Sequence, residues 1–164
     1  MHPPVGPAWL VWLETSSVAV AMRQWLWLYP IVEIVHIVGF VVLVGAAIMF
    51  DLRLLGLSRH LPVTGMAQHL LPRARASLVL VIPSGLLMFI AHATEMAANP
   101  AFRLKLVCLV AAGLNALLFH RGVFSSVSLW NQASAAPVMA KIAALVSLTL
   151  WVCVITCGRL LAYL

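Results

Sequence analysis

Glu33 and His36 stand three residues apart inside an apolar run covering residues 30–50. That spacing puts both on one face of a helix. Ionisable groups at membrane depth are costly enough to mark function. Counted from the aromatic residues before the run at ~1.5 Å per residue, His36 lies roughly 10–14 Å inside. An imidazole there needs a partner in the bundle interior, and His92 is the first candidate. It falls near the end of a second apolar run, roughly 5–8 Å in from Glu95 by the same rise. Gly85 and Met88 share its face. Two imidazoles facing each other across a helical bundle are what axial ligation of a b-type haem requires. Arg103, Lys105 and Arg159 belong to the same end of the bundle and are the candidates to pair with haem propionates.

His120 belongs to the opposite end, about 15 Å or more from His36 in depth. As a metal ligand it needs a second site, with His69 or His60 as its partner. Gly113 and Ala116 share its face. Each assignment has a plainer counterpart. His92 and His120, near span ends, read equally as interfacial residues. His36 reads as a buried imidazole bonded to Glu33 or to a neighbouring carbonyl. A proton relay through Glu33 and His36 is a further alternative.

Cys108, Cys153 and Cys157 all lie in apolar stretches. Cys153 and Cys157 share a helix face and suit a soft metal, although buried thiols more often serve as small hydrophobes. Met49, Met88 and Met96 are the other soft ligands of a copper-handling reading, but their spacing forms no cluster. No disulfide framework is implied. A phosphate-binding loop, an HExxH pair and a serine elbow are all missing, which favours an electron carrier or accessory protein over an enzyme.

The elements that must position these groups follow from composition. Of 164 residues, 64% are hydrophobic and 9% charged, and the mean hydropathy is +1.08. A soluble domain carries about 25% charged residues to keep its surface solvated, so lipid is the main solvent and principal partner here. The net charge of +6 comes from basic residues scattered at the ends of apolar runs. That is a topology signal and not a nucleic-acid surface.

Residues 8–24 are too short and mixed to span and read as an amphipathic helix lying in the interface. Trp25, Trp27 and Tyr29 follow as an aromatic belt. Spans are expected at about 30–50, 76–94, 102–120 and 138–163, with a kink at Pro83 and a long connection over residues 51–75. The short turn after Glu95 makes spans two and three antiparallel neighbours. The whole chain reads as one all-α domain, an integral membrane four-helix bundle behind an interfacial helix. Residues 1–4 lack the basic region of a cleavable signal, so the first span is expected to act as its own insertion signal. Arg53, Arg59, Arg73, Arg75, Arg121 and Lys141 flank one side, against Arg23, Arg103, Lys105 and Arg159 on the other. This bias puts both termini outside the cytoplasm.

Whole stretches of the chain resemble an uncharacterised bacterial family of four-span inner-membrane proteins. The segments that carry the likeness are WLYPIVEIVHIVGF, FDLRLLG, SGLLMFI, NPAFRLK, GLNALLFH and CGRLLAY. The resemblance singles out Glu33, His36, Asp51, Arg53, Asn99, Lys105, Asn115, His120 and Arg159. His92 departs from the pattern, and the likeness implies no activity. More distantly, the layout is similar to copper-resistance CopD-type domains and to di-haem transmembrane cytochromes, by analogy of fold only. The leading expectation is an inner-membrane protein that binds haem b and passes electrons to a membrane redox partner, or that self-associates. Its rivals are a structural accessory subunit and a small copper- or proton-handling protein.

Overall fold

The apolar runs fold as long helices. The computed structural model describes residues 6–132 and 135–163. Residues 1–4, read for a signal, lie outside the described residues. The elements are α1 (Ala8–Glu14), α2 (Ser17–Gln24), α3 (Leu28–Leu55), α4 (Val63–Ala91), α5 (Ala93–Ala98), α6 (Pro100–Arg121), a 3₁₀ helix (Val123–Leu129) and α7 (Val138–Leu160). The helices α3, α4, α6 and α7 contain 28, 29, 22 and 23 residues and are apolar enough to cross a membrane. At ~1.5 Å per residue even the shortest covers the roughly 30 Å hydrocarbon core.

In space the order is α4–α3–α7–α6. The pairing of spans two and three expected from their short connection is therefore corrected. The tight pairs are α3 with α4 and α6 with α7, while α4 and α6 meet through Phe89 stacked on Phe102 at 5.4 Å. Close approach drives the choice. A Cβ on Gly39 would stand 2.9 Å from Val81 and 3.0 Å from Leu80, so only glycine lets α3 lie this near α4. The connection between α4 and α6 is itself a short helix, which Glu14 caps from outside. Asn99 then starts α6, accepting from the amides of Ala101 (2.9 Å) and Phe102 (3.4 Å) ahead of the first-turn Pro100.

The second span begins 13 residues earlier than position 76, at Val63. The expected connection over 51–75 is shortened accordingly, and α4 runs through both Pro72 and Pro83. Membrane helices tolerate proline when side chains and neighbours serve the loosened backbone. The Arg73 guanidinium donates to the His69 carbonyl beside Pro72. The Ser84 hydroxyl donates to the Leu80 carbonyl at 2.5 Å beside Pro83.

The interfacial segment is two helices and not one, because Thr15 turns the chain and Ser16 caps α2 through the Ala19 amide at 3.3 Å. Leu10, Ala19 and Met22 are buried, while Trp9, Trp12, Trp25 and Trp27 are exposed as interfacial aromatics should be. Arg23 straps the pair to the bundle by donating to the carbonyls of Ala91 (2.5 Å) and Glu14 (2.8 Å).

The end of the bundle away from both termini holds the larger core, built on Phe50, Leu54, Val63, Phe119 and Trp130. Gly56, with φ +109°, ends α3 in the left-handed conformation that favours glycine. Arg53 is 2% exposed and donates to the carbonyls of Leu61 (2.7 Å), Arg59 (3.1 Å) and Asn131 (3.4 Å). Asn131 in turn caps α4 from 67 residues away, accepting from the Thr64 amide (2.9 Å) and hydroxyl (3.1 Å). The two loops of this end are thereby locked together.

Candidate functional site

His36 is fixed by α4. Its Nδ1 lies 3.1 Å from the Val81 carbonyl and 3.0 Å from the Ser84 hydroxyl. A carbonyl only accepts, so Nδ1 carries the proton and Nε2 keeps its lone pair. Gly85 makes the seat possible, because a Cβ there would stand 3.0 Å from His36 Cε1. The neighbouring-carbonyl reading of His36 thus describes its observed bond. Glu33 is exposed and does not hold the ring, so no Glu33–His36 hydrogen bond forms.

His92 is occupied elsewhere. It packs edge-on against Tyr29, ring centroids 6.0 Å apart, and its Nδ1 is 3.9 Å from Glu95. Tyr29 is seven residues before His36, so the two imidazoles sit at levels about two turns, roughly 10 Å, apart. The fold does not bring them face to face. The cations of that end are also engaged or directed elsewhere. Arg103 donates to the Ala97 carbonyl (2.8 Å), and Arg159 bonds the Tyr163 hydroxyl (2.6 Å). Lys105 reaches α7, with Nζ 3.8 Å from the Cβ position of Gly158.

At the opposite end the helices enclose a cavity of about 170 Å³. Its polar lining is Asp51 from α3, Asn115 and His120 from α6, and Ser147 from α7. Asp51 is 6% exposed, and its Oδ2 has no hydrogen-bond partner among the described residues. Arg53 does not neutralise it, since the guanidinium is spent on three loop carbonyls. Asn115 uses its amide to hold α7 at the Ala143 carbonyl (2.9 Å). His120 is walled by Phe119 (5.2 Å), Phe124 (5.1 Å) and Phe50 (6.3 Å). Its expected partners His60 and His69 are both exposed. A groove lined by Thr64, Gln68, Arg75 and Phe124 lies next to the cavity, sharing the Leu71 wall.

Chemically, the cavity has room for several waters and is smaller than the roughly 300–1,000 Å³ of pockets that take drug-sized ligands. A lone ionised carboxylate in such a place is costly, and the nearby C-terminal end of α3 adds negative potential. A proton or a small cation must balance it. The resemblance singles out Asp51, but the spacing of residues left it outside the candidate site by ending the first span at Phe50, where an acidic residue and an arginine look like a stop. The available signal was the acidic residue itself, five positions before a glycine that ends the helix.

Fold and interior together define a multi-pass integral membrane protein of the four-helix-bundle class. The chain belongs to the family described as "Family of unknown function (DUF6644)", matched over residues 9–164. Neither the curated proteins nor the solved structures compared with it include a match.

Proposed function

We propose that the protein handles protons within the membrane, with Asp51 as the group that takes up and releases the proton. The observation that carries this is a buried carboxylate with an unpartnered oxygen in a mostly apolar cavity that also holds Asn115, His120 and Ser147. His120 is the relay between that cavity and the groove at the loop end, where Arg75 and Gln68 meet water. Asn115 and Ser147 hold the intervening waters. We place the protein in a bacterial inner membrane with both termini on the periplasmic side, on the strength of the arginine and lysine bias. The cavity then opens toward the cytoplasm.

Infrared difference spectra across a pH step, recorded on protein in lipid, test this reading. A protonated-carboxyl band should appear and vanish with pH, and Asp51→Asn should remove it. An unchanged band in Asp51→Asn, or none in the native protein at any pH, overturns the assignment. Liposomes with an internal pH dye then report whether uptake is coupled to passage across the bilayer.

One observation favours a second reading. Metal-bound histidines donate their other ring nitrogen to a carbonyl or carboxylate, and His36 does so to Val81, leaving Nε2 free to ligate. In the haem b and electron-transfer proposal His36 is therefore the ligand, and the second axial group comes from somewhere other than His92. The visible spectrum of protein expressed with ample haem decides it. A Soret band lost in His36→Ala supports the proposal, and its absence removes it.

A further inference from the structure

Three thiols form a chain across the interface of α6 and α7. Cys108 Sγ lies 3.0 Å from Cys153 Sγ, which lies 3.9 Å from Cys157 Sγ. All three are free. Cys108 and Cys157 are buried and Cys153 is half-buried, set among Val44, Trp151 and Val154. Two thiolates sharing one tetrahedral metal at ~2.3 Å per bond stand nearly 4 Å apart. The Cys108–Cys153 separation is too short for that. It is about 1 Å longer than a covalent S–S bond of ~2.05 Å.

We propose that Cys108 and Cys153 are a redox-active dithiol that forms a reversible disulfide clamping α6 to α7. Cys157 is the exchanging thiol. In the forward step the two thiols lose two electrons and two protons as the S–S bond forms. In the reverse direction Cys157 attacks Cys153, its proton passing to the released Cys108 sulfur, and the resulting Cys153–Cys157 bond is reduced to two thiols by the two electrons and two protons of a lipid-soluble quinol. Lys105 Nζ reaches the turn of Cys157, 3.8 Å from the Cβ position of Gly158.

Depth selects the oxidant. Cys108 is eight residues into α6, about 12 Å along the helix, and Cys153 is seven residues from the end of α7. Both lie within the ~30 Å hydrocarbon core, beyond the reach of a water-soluble thiol carrier. The acceptor is therefore a lipid-soluble two-electron carrier of the quinone class. It takes up both electrons and both protons to become the quinol, so the step balances.

The experiment uses the full chain in lipid nanodiscs. The protein is reduced, then exposed to a short-chain benzoquinone or to oxidised glutathione, denatured, and labelled with a maleimide-polymer that shifts the gel band once per free thiol. Three shifts are expected after reduction and after glutathione, and one after the quinone. Cys157→Ser should still lose both of its remaining shifts to the quinone, while Cys153→Ser, which removes the thiol common to both bonds, should keep both of its own. Three shifts in the native protein under every oxidant overturn the dithiol. Equal oxidation by glutathione overturns the lipid-soluble acceptor while leaving the disulfide. Loss of thiols in Cys153→Ser overturns the pairing. The native-protein comparison stands even where a variant fails to fold.

Discussion

The two ends of the bundle treat their polar groups in opposite ways. At the end holding both termini five of the strong hydrogen-bonding groups are put to structural use. His36 is bonded to α4, Arg23 straps the interfacial helices, Glu14 caps α5, and Arg103 and Arg159 bond within their own surroundings. At the loop end Arg53 is equally committed, but one carboxyl oxygen of Asp51, two residues away, is not. A buried polar group normally finds a partner, because leaving one unmade costs about 1–3 kcal/mol. Where one persists beside a cavity, the partner comes from outside the protein. The contrast separates residues that build the bundle from the one that waits for something.

The sharpest way to break that contrast is at Arg53. Arg53→Met takes the only side-chain donor from the Leu61 and Arg59 carbonyls and leaves the Asn131 carbonyl to the Val63 amide alone, loosening the contact between the two loops. The expected loss is roughly 3–5 kcal/mol in unfolding from detergent micelles. A loss below about 1 kcal/mol means that water takes over the carbonyls, and the loop lock is then weaker than its burial implies.

Asp51 should respond with the opposite sign. Asp51→Asn removes a group that needs a proton or cation and keeps its size. Stability in the same assay should rise or hold, by up to about 2 kcal/mol, while the carboxyl infrared signal disappears. A destabilisation of 2 kcal/mol or more would make Asp51 a structural residue like Arg53 and remove the distinction between the two ends.

His36 tests the other half of the comparison. If its bond to Val81 and Ser84 is structural, His36→Asn should cost only about 0.6 kcal/mol, the average for interhelical polar contacts in membranes. Proton handling at Asp51 should then be unchanged, and a large loss of function would move the working site to the termini end.

How much of this was legible in the sequence depends on the range of the interaction. The four spans follow from local hydropathy, and the aromatic belt from residues next to one another. Helix ends were less legible. Asp51 and Arg53 resemble a span terminus, yet Arg53 is kept inside by carbonyls contributed from Leu61, Arg59 and Asn131, the last 78 residues away. Pro72 resembles a stop, yet membrane packing carries α4 through it. The helix order turned on Gly39 and on what a Cβ there would meet in α4, which no local pattern encodes. The candidate site followed the same rule. His36 was found because it is deep and locally conspicuous, whereas the Asp51 cavity and the Cys108–Cys153 contact join residues that only the fold brings together.

The smallest expected effect concerns the strap at the termini end. Glu14 accepts from the Thr94 amide (2.8 Å) and hydroxyl (2.6 Å), holding α1 to the start of α5. Burial pushes its carboxyl up, but the Thr94 bonds and Arg23 outweigh that and hold it below the ordinary glutamate value. A depressed folded pKa means the strap is fully formed above the unfolded value and weakens as pH falls through the folded one. Fluorescence of the exposed Trp9 and Trp12 should therefore stay constant from neutral pH down to the ordinary glutamate range and change only below it. Glu14→Gln should show the loosened signal at neutral pH and no acid step, while the infrared signal of Asp51 is unaffected. If the strap and the cavity titrate together, the two ends are coupled through α4, and the division of labour between them is not a division in space.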